Sequence, residues 1–310
     1  MKIETISIIK EKINNLYMQH AILITAYKNF EQLTDLVEAF AASNFKCYIH
    51  IDKKAPFSKE ELKSLSDKEN VSFVVRHYNV YWGGSNHLRA ILQLLDEAYK
   101  NPENQYFHLI TGQDYPIKSL EEIDAFYKEH KGKEFLEYNK LPYHKWAHGG
   151  YERLVYYNFC DTFNGKSLFG QFMIRTLITL QKIFFIKRAF DKDFPPLYGG
   201  STYWSLSREC ITYIKNYLDE KPQYLKRFDY SFCAEELFFQ TLILNSPLKE
   251  NVINDPMRYI VWEKRNGNFP ANLDVSDEKA MWESNALFAR KFEIPVSTPL
   301  LMNIKKRIRK

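Results

Sequence analysis

At 310 residues the chain is long enough to bury a full core, and 45% hydrophobic with 26% charged residues is the balance of a soluble globular protein. A net charge of +5 without a clustered Arg/Lys motif disfavours nucleic acid, while it suits an anionic small molecule or an acidic membrane surface. The four cysteines, Cys47, Cys160, Cys210 and Cys233, include no C-x-x-C pair, so neither a zinc site nor a disulfide scaffold is expected.

Residues 1–17 mix charge with apolar side chains, lack the apolar core of a signal peptide, and read as an N-terminal extension. From His20 to Tyr27 an apolar run reads as a buried parallel strand, and the spacing of Leu33, Leu36, Val37 and Phe40 predicts an amphipathic helix after it. Cys47–Ile51 is the second strand and stops at Asp52. Ligands of such βαβ openings sit beyond the carboxyl ends of the strands, where an acidic residue accepts hydrogen bonds from a ribose or base. No Gly-rich phosphate loop follows the first strand, which disfavours a dinucleotide site.

Val71–Val75 reads as a third strand. Trp82-Gly83-Gly84 lets backbone approach a ligand closely or makes a tight turn, and Ser85 is positioned to cap a helix over 86–99. Tyr106–Ile110 reads as a fourth strand with Asp114 on the loop beyond it, where functional groups collect. A helix over 121–130 and a strand over 134–138 follow. The aromatic and basic stretch 168–190 fits a helix lying on anionic lipid, or, more simply, a surface helix packing its apolar stripe. A glycine-led strand over 198–206 and a helix over 208–218 come next.

Glu235 and Glu236 open a further apolar helix carrying Phe238, Phe239, Leu242 and Ile243. Adjacent helical side chains diverge by about 100°, so one of the two carboxylates faces a cleft squarely. A carboxylate beside apolar walls suits a general base for a hydroxyl, and two acids at a helix start equally suit the helix dipole. A strand around 258–262, a weakly structured Asn- and Gly-containing stretch and a basic tail, 296–310, complete the chain, with a single domain over 18–295.

Six segments occur in order: Tyr48–Lys54, Trp82–Gly84, Asp114–Lys118, Gly199–Ser201, Glu236 with Phe239, and Phe288–Phe292. Together they resemble the core-2/I-branching β-1,6-N-acetylglucosaminyltransferases and the related peptide O-xylosyltransferases. The resemblance implies an α/β, GT-A-like nucleotide-sugar transferase fold with a central, mixed, mostly parallel sheet flanked by helices. It further implies an inverting transfer of xylose or N-acetylglucosamine from a UDP-sugar, with no divalent metal or other cofactor.

Carried over by position, Glu236 matches the catalytic base, Asp52 the residue reading uridine, Asp114 the acidic group near the donor sugar, and Lys291 a basic residue at the diphosphate. Tyr27 stands where many relatives have His. Arg290 or Arg265 is the expected second cation. Trp82, Gly83, Gly84, Gly199, Gly200, Ser201 and Trp262 are expected on the substrate side. Absent luminal disulfides fit a bacterial-type, cytoplasmic relative, peripheral at the inner face of the membrane, acting on a glycan, lipid-linked oligosaccharide or peptide.

The residue chemistry is compatible with that resemblance. The departing diphosphate needs a fixed positive charge, and the only Asp-x-Asp match, Asp191-Lys192-Asp193, follows the basic stretch and reads as surface charge. A glycosidase needs two carboxylates across a cleft, which the adjacent Glu235 and Glu236 do not supply. A non-catalytic glycan-binding protein and a membrane-peripheral scaffold remain as alternatives.

Overall fold

The computed structural model describes residues 17–191 and 193–308, so the extension expected over residues 1–17 falls, apart from Tyr17, outside the described residues. The first half comprises β1 (Gln19–Ala26), α1 (Phe30–Glu38), β2 (Phe45–Ile51), α2 (Lys59–Ser66), β3 (Val71–Val75), α3 (Asn86–Lys100), β4 (Asn104–Thr111), β5 (Asp114–Pro116) and α4 (Leu120–Glu129). There follow β6 (Glu134–Leu136), β7 (Asn139–Lys140), α5 (Glu152–Val155), α6 (Leu168–Ile183), β8 (Tyr198–Gly199), β9 (Trp204–Ser207), α7 (Arg208–Glu220) and α8 (Pro222–Arg227). The last part holds α9 (Glu235–Leu244), β10 (Val252–Ile253), β11 (Arg258–Ile260), α10 (Glu278–Glu283), β12 (Phe288–Arg290) and α11 (Thr298–Ile308).

A seven-stranded sheet runs in the order β10-β6-β9-β4-β1-β2-β3. Its neighbours pair in parallel except on either side of β9, which is antiparallel to both β4 and β6. This is the mixed, mostly parallel sheet expected. Side chains of β1 alternate between two cores: Ile22 and Ile24 enter one with Leu33, Leu36 and Val37 of α1, while Ala21 and Leu23 enter the other with Leu88, Ile91 and Leu95 of α3. Helices therefore cover both faces, which is why β1 is an unbroken apolar run.

A small sheet, β11-β12-β5, stands against the first core, and buried Arg258 keys it to the large one. The Arg258 guanidinium lies 4.3 Å from the Phe288 ring centroid and donates to the carbonyls of Trp204 at 3.2 Å and Leu109 at 3.3 Å.

Several expectations are corrected. The strand expected over 198–206 is two strands in different sheets, with Gly200-Ser201-Thr202-Tyr203 forming the crossing between them. The expected basic tail is largely α11, whose Leu300, Leu301 and Ile304 enter the first core while Lys305, Lys306 and Arg307 fall in its last turn. Ser85 does not cap α3; its hydroxyl donates to Asp161 at 2.6 Å, and the Asp161 carboxylate accepts the Asn86 amide at 3.1 Å. The stretch 168–190 contains a helix, α6, whose inner face (Gly170, Ile174, Leu177, Gln181) is buried or half-buried, while Leu168, Phe172 and Ile183 stay exposed.

Buried Glu134 stabilises the junction of β6 and β9. Its carboxylate accepts the Ser207 amide at 2.8 Å and the Ser207 hydroxyl at 2.5 Å, while burial pushes its pKa up to about 7. The folded chain therefore holds this proton more tightly than the unfolded chain. The associated stability is present below the unfolded carboxylate pKa and lost as pH rises through about 7. Glu134→Gln is expected to flatten that slope and to exceed the parent at pH 8 by on the order of 3 kcal/mol. Urea unfolding at pH 5 and pH 8 measures it, and a variant weaker than the parent at pH 8 contradicts it.

Candidate active site

Helix α9 is apolar enough to be buried on every side, and nine of its ten residues are. Glu236 is the exception, with 27% of its side chain reaching solvent. Leu237, Phe238, Phe239, Leu242 and Ile243 hold the helix in the second core. Glu235 turns inward, its Oε1 3.1 Å from Nδ1 of His87, while Nε2 of the same ring lies 3.3 Å from the Thr25 hydroxyl at the end of β1. The two carboxylates thus diverge as adjacent helical residues should.

Above Glu236 lies Arg153 of α5, which donates from Nη1 to Oε2 of Glu236 at 2.5 Å. Its guanidinium is stacked 3.6 Å from the Trp146 ring centroid, which fixes the direction of its donors. Burial pushes the Glu236 carboxyl up to about 7, the Glu235 charge adds to the rise, and Arg153 opposes it. A carboxylate with that affinity is a stronger base near neutrality than an ordinary one.

Two predicted substrate-side segments frame this residue. The Gly200 amide donates to the Glu236 carbonyl at 2.9 Å, and a Cβ on Gly200 would lie 1.9 Å from the Glu137 carbonyl oxygen, so only glycine lets the chain pass here. The Ser201 carbonyl accepts from Gln240 of α9 at 2.7 Å. On the other flank Gly83 has φ +80°, and its carbonyl accepts the Cys233 amide at 3.0 Å. Gly84 packs against Asp161, and the exposed Trp82 ring meets Phe232 edge-on at 5.1 Å.

The Cys233 sulfur and one oxygen from each of Glu235 and Glu236 lie within 4.8 Å of one another. Burial raises the Cys233 thiol well above its ordinary value, with both carboxylates adding to the shift. The trio therefore presents a thiol and an arginine-bound carboxylate, a poor starting set for a divalent ion.

A second group gathers beyond the carboxyl ends of β1, β2 and β12. The buried Asp52 carboxylate holds the Lys54 ammonium on both oxygens, at 2.8 and 2.9 Å. The Tyr27 hydroxyl donates to Gln113 at 3.0 Å, and Gln113 is tied to Glu293.

Asp114 is not on a free loop; it begins β5, is buried, accepts the Thr111 amide, and pairs in register with Arg290 of β12. Arg290 Nη1 is 3.3 Å from Asp114 Oδ1, and its guanidinium lies 4.0 Å from the Tyr203 ring centroid. Its Nε and Nη1 are buried without a hydrogen-bond partner among the described residues. Lys291 follows, its ammonium pushed down to about 8 by burial and by the charges of Arg290, Lys28 and Lys166. Among the described residues it has no ion pair.

Arg265, the alternative second cation, is committed elsewhere: it donates to Glu263, Asp274 and Asp277. Trp262 is exposed with its ring against Phe269, and shares no hydrogen bond or ring contact with the other predicted residues. Asp191 and Asp193 are exposed, in keeping with surface charge.

The chain thus combines an α/β fold with a mostly parallel sheet, one carboxylate of a core helix that reaches solvent, and cations beyond the strand ends. The Core-2/I-Branching enzyme family model matches residues 21–281, and the chain belongs to that family. It is similar to Xylosyltransferase 2 of Canis lupus familiaris, with 25% identity over 79% of this chain and 27% of that protein. Xylosyltransferase 2 of Bos taurus is 23% identical over 90% of this chain and 32% of that protein. Xylosyltransferase sqv-6 of Caenorhabditis briggsae is 24% identical over 79% and 29%. The chain therefore spans about a third or less of the length of these relatives.

Arg153 and His87 were not singled out in the sequence. They contact Glu236 and Glu235 across separations of 83 and 148 residues, and nothing local announces such pairs. Lys54 is not singled out in the sequence either, though a cation two residues after a strand-end aspartate, able to reach back over the turn, is a local signal for it.

Proposed function

We propose that this protein is an inverting glycosyltransferase that moves xylose or N-acetylglucosamine from a UDP-sugar to an acceptor hydroxyl without a divalent metal. The carrying observation is Glu236, the one residue of a core helix that reaches solvent, with its carboxyl raised to about 7. As a carboxylate it takes the acceptor proton. The acceptor oxygen then attacks the anomeric carbon from the face opposite UDP, which leaves with the bonding electron pair, so an α-linked donor yields a β-linked product. Lys291, backed by the Arg290 guanidinium that pairs with Asp114, receives the charge that develops on the diphosphate. Asp52 and Tyr27 hold the nucleoside end, and Asp52 exchanges Lys54 for the ligand's donors as it does so.

Glycoconjugate or surface-polysaccharide synthesis in a bacterial setting is the context proposed, with a glycan, lipid-linked oligosaccharide or peptide as acceptor. A cytoplasmic place at the inner face of the membrane is part of the same reading. Among the described residues no helix is long and apolar enough to cross a membrane.

The test is UDP release from a panel of UDP-sugars, with and without EDTA. Turnover of one donor that survives EDTA is expected. EDTA-sensitive turnover overturns the metal-free mechanism, and UDP binding without turnover under any acceptor favours a non-catalytic binder.

A further inference from the structure

Helix α6 and the turn after it hold eight of the exposed large hydrophobic side chains among the described residues. None of residues 168–186 belongs to either hydrophobic core. Leu168, Phe172 and Ile183 recur at helical spacing on one exposed face, and Phe184, Phe185 and Ile186 extend it past the helix end. Leu168 and Phe185 are 87% and 86% exposed. The helix closes with the Ile186 amide on the Gln181 carbonyl at 2.8 Å, which places Phe185 at φ +56° where glycine is usual. An aromatic ring is thereby held outward at a position that favours having none.

The charge carried by this segment has one sign. From Thr162 to Phe190 there is no Asp or Glu, while Lys166, Arg175, Lys182, Lys187 and Arg188 are present. Lys182 is paired with Glu152, and Arg188 binds Ser231 and the Arg227 carbonyl, which leaves Lys166, Arg175 and Lys187 toward solvent.

We infer that α6 and residues 184–187 form a docking surface for an anionic phospholipid bilayer, with the helix lying in the headgroup plane. Apolar side chains enter the acyl boundary and the unpaired cations meet lipid phosphate. A second copy of the chain fits less well, because two-fold contact would bring Lys166, Arg175 and Lys187 against their own kind, and the segment itself carries no acid to meet them.

The surface is rigidly referred to the cleft. Gln181 bonds both the amide and the carbonyl of Tyr157, at 2.8 and 3.0 Å, and Lys182 pairs with Glu152, next to Arg153. A Cβ on Gly165 would meet Trp82 at 3.8 Å. Docking thus sets the mouth at Glu236 beside the membrane. Resting on the proposed transferase function, this selects a lipid-anchored acceptor.

The experiment is flotation of the full chain with phosphatidylcholine vesicles, with and without phosphatidylglycerol, at low and high salt. Binding only to the anionic vesicles is expected, weakened by salt, and reduced about tenfold or more in Phe172→Glu/Ile183→Glu. An unchanged melting temperature would show that the variant is folded. Absence of binding to anionic vesicles overturns the inference, as does undiminished binding of the variant. Self-association that the double substitution abolishes, without vesicle binding, also overturns it and makes the face a contact between copies. None of these outcomes depends on turnover, so failure here is separable from failure of the transferase reading.

Discussion

Glu236→Gln is expected to lower kcat by about 10²- to 10⁴-fold while UDP affinity stays within roughly twofold. Glutamine keeps the shape and accepts the Arg153 hydrogen bond, but it cannot take the acceptor proton. In the parent, the carboxyl at about 7 sets an acid limb: the rate falls about tenfold per pH unit below it and levels off above it.

Glu235→Gln separates the roles of the two acids. It removes a charge that raises Glu236, so the acid limb should move to lower pH while turnover on the plateau survives. Steady-state pH profiles of the three proteins decide the matter. If Glu235→Gln abolishes turnover and Glu236→Gln retains it, the assignment of the base is wrong.

Lys291→Met is expected to cost about 10²- to 10³-fold in kcat/KM, since a fixed cation at the leaving group is lost. The parent has a further signature. With its ammonium held down to about 8, free enzyme loses the positive charge above that pH, so kcat/KM should fall on the alkaline side. A bound diphosphate favours the charged form and moves that limb upward, so kcat should lack it over the same range. Lys291→Met should abolish the alkaline limb and Lys291→Arg should displace it to higher pH. An alkaline limb that persists in Lys291→Met assigns it to another group.

The elements most legible in the sequence are those dictated by burial. The runs at 20–27 and 106–110 are apolar because helices cover both sheet faces, and β1 and β4 lie where those runs do. Patterns that depend on an unseen neighbour were harder to read. The stretch 168–190 contains the expected helix, yet its sequence does not say which apolar residues the protein covers: Ile174 and Leu177 are half-buried, Phe172 and Ile183 exposed. In α11 the reverse holds: three basic residues in the last turn obscure Leu300, Leu301 and Ile304, which are buried.

At the candidate site, the divergence of Glu235 from Glu236 follows from helical pitch alone. Arg153 follows from nothing local, because its position depends on the turn at His148-Gly149-Gly150 and on stacking against Trp146. Asp114 was placed at its strand end, while its commitment to Arg290 comes from β5–β12 pairing. Arg265 looked like a spare cation until the carboxylates that hold it were in view.

The position of β9 between β4 and β6 has a consequence for synthesis. Strands β1 to β4 pair in parallel among themselves, so that half can form as it emerges, but the free edge of β4 is closed only by Trp204–Ser207. The ribosome needs roughly 5–20 s to make the ~90 residues between them. Throughout that interval the nascent chain carries an open strand edge bearing Tyr106 and Phe107, the kind of template on which unrelated chains pair. Glu236 arrives later still, so a chain released before β9 has an open strand edge and lacks the carboxylate of the proposed chemistry.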